Sequence, residues 1–298
     1  MIRAITDTTC YMGQNYHLSI LVLFIFVSSS FLSCDDDSLK ADIPAYLTIN
    51  DVSIKPTANQ GSASDNIKDV NVFINDQSLG IFELPATIPI RNLDNINIKI
   101  RAFIRNNGLT DDKSSYPFYT TYELDTTLTK EEEIEINPVL FYSEQTILSE
   151  PWSGEDFESG INFEYHPNSD TTFIRTNDPS QAFEGASGLA MLSSNATFFE
   201  ARTPAFSNIP RDGSPIYLEL DYKSTHDFAI SIYANDQTVQ TRVVFFKSQT
   251  EWTKVYVRLN DVIATLANAF NYNIAIGYIK AQGETSQLLV DNVKLLHF

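Results

Sequence analysis

Few residues in this chain have the types and spacing that covalent or acid–base chemistry needs. Gly185-Ala186-Ser187-Gly188-Leu189 carries the Gly-x-Ser of a nucleophile elbow, but leucine stands where the second glycine belongs. The segment also sits among strand-like stretches, and a turn that needs small residues accounts for it better. The histidines do not cluster: His17 is near the start, His166 precedes Pro167, His226 lies in a polar turn and His297 is penultimate. No pair has the spacing of metal ligands. With 38 acidic residues some pair always resembles a glycosidase dyad, so that pattern selects nothing. What remains is aromatic. Tyr116-Pro117-Phe118-Tyr119-Thr120-Thr121-Tyr122 puts four rings into seven residues beside a polar loop, Asn106 to Ser115. Rings that are exposed in a group mark contact surfaces. Tyr116 and Phe118, which precede the next strand, are therefore expected outside, with Tyr119 beside them. Trp152 is a further binding candidate, as are Tyr165, Tyr233 and Tyr278, because flat rings offer an apolar face with a wet edge. Trp252 is expected in the core.

One cysteine stands out by position. Leu18 to Leu32 is an apolar run, short for a membrane span and suited to the core of a secretory signal. It ends Ser30-Phe31-Leu32-Ser33-Cys34, which resembles a bacterial lipobox, with Phe31 where leucine is commonest. The resemblance implies cleavage before Cys34 and a covalent lipid, such as palmitate, on it. Cys10 would leave with the signal, so lipidation alone explains the cysteine usage. Asp35-Asp36-Asp37 follow at once and resemble the acidic export signal of surface lipoproteins of Bacteroidota. That implies a protein held in the outer membrane by its lipid and facing outward. The formal charge of −18 excludes the basic face a nucleic-acid partner would need.

The elements that must position these residues are strands. After a signal at 1–33 and an acidic tether at 34–44, residues 45–147 show period-two alternation. Ile96, Ile98, Ile100 and Ala102 alternate with Asn97, Lys99 and Arg101, and Val70, Val72 and Ile74 precede an Asn75-Asp76 turn. Further strands are expected at Tyr46–Ile54, Leu79–Phe82, Thr120–Leu128 and Glu133–Leu140. About seven short strands in a hundred residues suggest a β-sandwich of immunoglobulin or transthyretin type. The run Val72 to Thr87 is similar to sandwich modules that Bacteroidota lipoproteins carry beside the membrane.

Residues 148–298 form the second expected domain. Tyr217, Glu219 and Asp221 alternate with Leu218, Leu220 and Tyr222, and Phe228, Ile230 and Ile232 with Ala229, Ser231 and Tyr233. Such alternation predicts antiparallel strands with one wet face. One helix is predicted over Asn260–Phe270, with Asp261 as its cap. Four segments occur in order: Glu155-Asp156-Phe157-Glu158-Ser159-Gly160, Phe183-Glu184-Gly185-Ala186-Ser187-Gly188-Leu189, Glu251-Trp252-Thr253-Lys254-Val255-Tyr256-Val257 and Leu289-Val290-Asp291-Asn292-Val293-Lys294-Leu295. Together they resemble a galactose-binding-like jelly roll of the carbohydrate-binding-module kind. The fold class is thus all-β, an immunoglobulin-like sandwich followed by a jelly roll. Jelly rolls of this kind often tie such segments together with one structural Ca²⁺. The matching positions are Glu158, Glu184, the Ser187 carbonyl and Asp291.

The function expected from anchor, sandwich and aromatic cluster is that of a non-enzymatic surface lipoprotein serving as an accessory subunit of an outer-membrane assembly around a β-barrel protein. The alternative is a lipoprotein that binds glycan for polysaccharide capture.

Overall fold

The computed structural model describes residues 43–57, 60–91, 94–148 and 154–298. The apolar run, Cys34, Asp35–Asp37 and Trp152 lie outside them. Among the described residues no helix is long and apolar enough to cross a membrane.

The N-terminal strands form as their alternation dictates. Ile96–Arg105 pairs antiparallel with Asp69–Ile74 on one side and with Lys113–Ser115 and Tyr122–Thr126 on the other; Gln77–Glu83 closes the edge. Asn75 and Asp76 both take positive φ, 50° and 64°, so the tight turn matches the twist of its strands. Opposite stand Ala86–Ile90, Ala45–Ile49 and Glu133–Glu135, in that order, and the small pair Ser53–Ile54 with Val139–Leu140. The expected strands Tyr46–Ile54 and Glu133–Leu140 are thus each broken in two. Ile98, Ile100 and Ile104 from one face meet Leu47, Ile49 and Ile88 from the other in one core.

The C-terminal part is a sandwich of two sheets. One has the order Ile174–Thr176, Ser187–Leu192, Ser286–His297, Ile216–Ser224, Gln249–Arg258, with Ile147–Leu148 added to the long last strand. The other runs Glu164–Tyr165, Phe198–Arg202, Tyr272–Ile279, Phe228–Ala234, Val239–Phe246. Leu218, Leu220, Leu288 and Val290 pack against Ile230, Ile232, Ile274 and Ile276 between them.

Two expectations fail here. The helix covers only Asn260–Thr265, its N-cap is Leu259, and no side chain caps it. Asp261 instead pairs with Arg258 at 3.2 Å, and the Tyr272 hydroxyl donates to the Leu266 carbonyl at 2.8 Å, ending the helix early and leaving Phe270 exposed. The second failure is larger. The polar face of Ile216–Ser224 is not wet: Tyr217, Glu219 and Asp221 are all buried. They lie under the N-terminal strands, and the core of that half takes in Tyr217, Tyr256 and Leu296 from this one. Residues 44–298 accordingly make one compact unit.

Candidate functional site

The aromatic cluster is where the sequence reading needs correction. Tyr116 is 2% exposed, Phe118 0% and Tyr119 7%, so none of them offers a contact surface. Their partners are the outer faces of Ile216–Ser224 and Gln249–Arg258. The Tyr116 ring meets Tyr217 and Tyr256 edge-on at 5.2 and 5.0 Å. Its hydroxyl donates to Glu219 Oε1 at 2.6 Å, and the Tyr142 hydroxyl donates to Oε2 at 2.8 Å. Lys254 completes the set, 2.9 Å from Oε2. Burial opposes the charge on Glu219, yet Lys254, Lys294 and the hydroxyl donors hold its carboxyl below the usual range. Burial, with Glu219 close by, pushes the Tyr116, Tyr119 and Tyr142 phenols well up. A buried carboxylate persists only with such partners. Tyr116 is held inside by its hydroxyl on this carboxylate, while Phe118 packs edge-on against the Tyr116 and Tyr217 rings and the Tyr119 hydroxyl lies 3.4 Å from that of Tyr256.

The four positions matched to a cation are arranged differently from a calcium cage. Glu158 Oε1 accepts the Ala186 N–H at 2.7 Å. Asp291 Oδ2 accepts the Ser187 hydroxyl at 2.6 Å and Oδ1 the Asn292 N–H at 2.8 Å. Glu184 turns away to accept the Ser62 hydroxyl at 2.9 Å. The turn therefore points N–H and O–H donors at Glu158 and Asp291, whereas a hard cation needs oxygens directed at it. Among the described residues no group of three acidic, His or Cys side chains is arranged to hold a metal ion. The residues do not fit Ca²⁺ in this arrangement. The small residues of the turn have a steric reason: Gly185 has φ +49° under the Glu158 carboxylate, and Gly188 lies against the Phe157 ring.

A concavity opens elsewhere, on the outer face of the five-stranded sheet, with a volume of about 850 Å³. Its shape follows from side-chain size. The two central strands put only Ala275, Gly277, Ala229 and Ser231 onto the middle of this face, in register with one another. A Cβ at Gly277 would stand 2.5 Å from the Phe199 carbonyl oxygen, so this position requires glycine. The flanking strands carry large side chains: Phe198 and Glu200 on one, Gln240, Arg242 and Phe245 on the other. Small residues between large ones make a groove along the strands.

The polar groups of the groove are held in fixed states. Glu200 takes Arg202 at 2.5 Å and the Tyr233 hydroxyl at 3.1 Å, and the Arg202 guanidinium lies 4.1 Å over the Tyr233 ring. This trio is buried at one end. At the other end Lys247 lies 2.7 Å from Asp227 and, through that hydrogen bond, lowers its carboxyl. His166 Nδ1 accepts the Asn168 N–H at 3.1 Å, so a proton rests on Nε2 in the neutral ring. His226 Nδ1 donates to the Asp227 carbonyl at 2.8 Å, so in the neutral ring Nε2 is the acceptor. Phe245 is 59% exposed and Ile279 72%.

Of the rings named from sequence, Tyr233 and Tyr278 line this groove but are nearly buried. Tyr165 is half-buried and accepts the Phe173 N–H at 3.1 Å. Trp252, expected in the core, is half-buried against Phe183. Arg242, Phe245 and Glu200 were missed. The alternation of Ala229 and Ser231 with large apolar residues signalled a small outward floor, but not these wall residues, which depend on which strands flank it.

No family model matches the chain. No curated protein matches it either. Solved structures of similar fold include one described under the promiscuous specificity of carbohydrate-binding modules from the β-sandwich superfamily, at 13% identity and TM-score 0.41, covering 86% of this chain and 100% of that one. The family 11 carbohydrate-binding module of a Clostridium thermocellum cellulase is similar at 14% identity and TM-score 0.34, over 48% of this chain and 92% of that one. A family 61 module in complex with β-1,4-galactotriose has 13% identity and TM-score 0.35, over 48% and 95%. All three are distant likenesses.

Proposed function

We propose that this chain binds a glycan in the groove of its five-stranded sheet, without chemistry, from a lipid anchor at the outer-membrane surface. The observation that carries the reading is the groove itself: a floor of Ala275, Gly277, Ala229 and Ser231 between walls bearing Phe198 and Phe245. Saccharides present apolar faces and hydroxyl edges together, and a trough mixing aromatic rings with fixed donors and acceptors matches both. His166 and His226 supply one donor and one acceptor of settled orientation. Binding rather than hydrolysis is supported by the carboxylates. Glu200 is tied to Arg202, and Lys247 keeps Asp227 low, the opposite of the raised carboxyl a general acid needs. The anchor rests on the Cys34 motif. Of the anchor, sandwich and aromatic cluster behind the expectation of a barrel-bound accessory subunit, the cluster no longer supports it, because Tyr116 and Phe118 are interior.

Affinity electrophoresis of the folded chain through gels containing a panel of polysaccharides tests the reading. At least one polysaccharide is expected to retard the protein, and Ala229→Trp, which fills the floor, is expected to abolish the retardation while melting normally. Retardation unchanged by Ala229→Trp would move the binding site elsewhere.

A further inference from the structure

Arg242 stands apart from the other charges of the groove. Glu200 is neutralised by Arg202 and Asp227 by Lys247. Among the described residues no carboxylate pairs with Arg242, in a chain with 38 acidic residues against 20 basic ones. Its guanidinium lies 4.4 Å over the Phe245 ring. That contact fixes the plane of the group and leaves its N–H edge uncommitted, which is the form in which arginine recognises carboxylates two bonds at a time. Directly across the strand pair stands Ser231, 6% exposed on the groove floor, whose hydroxyl makes no hydrogen bond within the described residues. A cation and a hydroxyl donor are thus left open side by side. Arg242 is exposed to solvent and Ser231 is shielded on the floor beside it, so an incoming ligand meets an accessible cation next to a hydroxyl that it can complete.

Building on the glycan reading above, we propose that the groove selects an acidic glycan, a uronate-bearing polysaccharide whose carboxylate sits on Arg242 with the Ser231 hydroxyl beside it. The neighbouring charges agree: with both acids paired, Arg242 leaves the groove with a local positive charge. Over the whole molecule the charge is −18, which repels a polyanion at long range. Selection therefore depends on this short contact.

The test uses the full chain and measures its affinity for polygalacturonate, alginate and hyaluronan, each beside its methyl-esterified or carboxyl-reduced counterpart. Esterification removes the charge and keeps the sugar. At least one acid form is expected to bind better than its neutral counterpart by about tenfold, the value of one charge-assisted contact. Arg242→Gln is expected to erase that preference, Arg242→Lys to keep part of it, and Ser231→Ala to weaken the acid form alone. If neutral polysaccharides bind as well as acidic ones and Arg242→Gln changes nothing, the charge selection is overturned and the glycan groove stands. If nothing binds, and Ala229→Trp behaves as wild type throughout, both are overturned.

Discussion

Glu219 is the residue on which the interior chemistry turns. Its two oxygens hold Tyr116, Tyr142 and Lys254. Glu219→Ala leaves Lys254 buried and unpaired, and is expected to cost about 3–5 kcal/mol, read from chemical denaturation. Tyr116→Phe removes one hydrogen bond to a charged acceptor and is expected to cost about 1.5–3 kcal/mol by the same measurement. The double variant Tyr116→Ala with Phe118→Ala, by contrast, is expected not to accumulate as folded protein. A second effect belongs to Lys294. Burial, with the Lys254 charge close by, lowers its ammonium to about 8. Below that pH both folded and unfolded chains carry the proton; above it the unfolded chain still binds one that the folded chain has lost. Stability from this group therefore rises as pH climbs from about 8 toward the usual lysine value. The buried phenols, pushed up by burial, begin to oppose this only as pH nears the ordinary tyrosine value of about 10, where the unfolded chain alone loses their protons. Lys294→Met is expected to flatten the rise in melting temperature between about pH 8 and 9. None of this was legible in sequence. Glu219 and Asp221 alternate with apolar neighbours as wet residues do, and their partners Tyr116 and Ser64 are more than a hundred positions away.

At the scale of elements, the sequence was informative where periodicity alone decides. Ile96–Arg105, Asp69–Ile74 and Phe228–Ala234 form close to where their alternation places them. It was less informative where strands are short: Ala86–Ile90, which contains Pro89, and Lys113–Ser115, made of small and polar residues, give no pattern. The helix was overextended because apolar spacing after Thr265 serves packing in a turn. The groove was half legible. The small outward residues of its two central strands could be read, but not the walls, which depend on which strands become neighbours. Gly277 tests this construction. Gly277→Ala forces a methyl against the Phe199 carbonyl, and is expected to cost about 1–3 kcal/mol and push Phe198–Arg202 away from Tyr272–Ile279. A lowered melting temperature together with weakened glycan retention is the expected result. A fully stable variant would mean the strands can part there freely.

For the whole molecule, the address and the body make separate predictions. With Cys34→Ala, metabolic labelling by a fatty-acid analogue is expected to disappear. Replacing Asp35–Asp37 by Ala is expected to keep the label and reduce digestion by external protease. The body joins its two sandwiches through a buried seam. Asn107 N–H meets the Tyr256 carbonyl at 2.8 Å, Tyr217 donates to Asn106 at 2.8 Å, and Ser64 donates to Asp221 at 2.6 Å. This seam has a mechanical consequence. The chain enters its folded body through the first sandwich, and the groove lies on the second. Any tension between the N-terminal end and a polymer lodged in the groove must cross the seam as a load. Hydrogen bonds and an ion pair shielded from water resist shear together and yield together. Stretched from its two ends in an optical trap, the folded body is expected to rupture in a single event, and with Glu219→Ala to part first at low force into two.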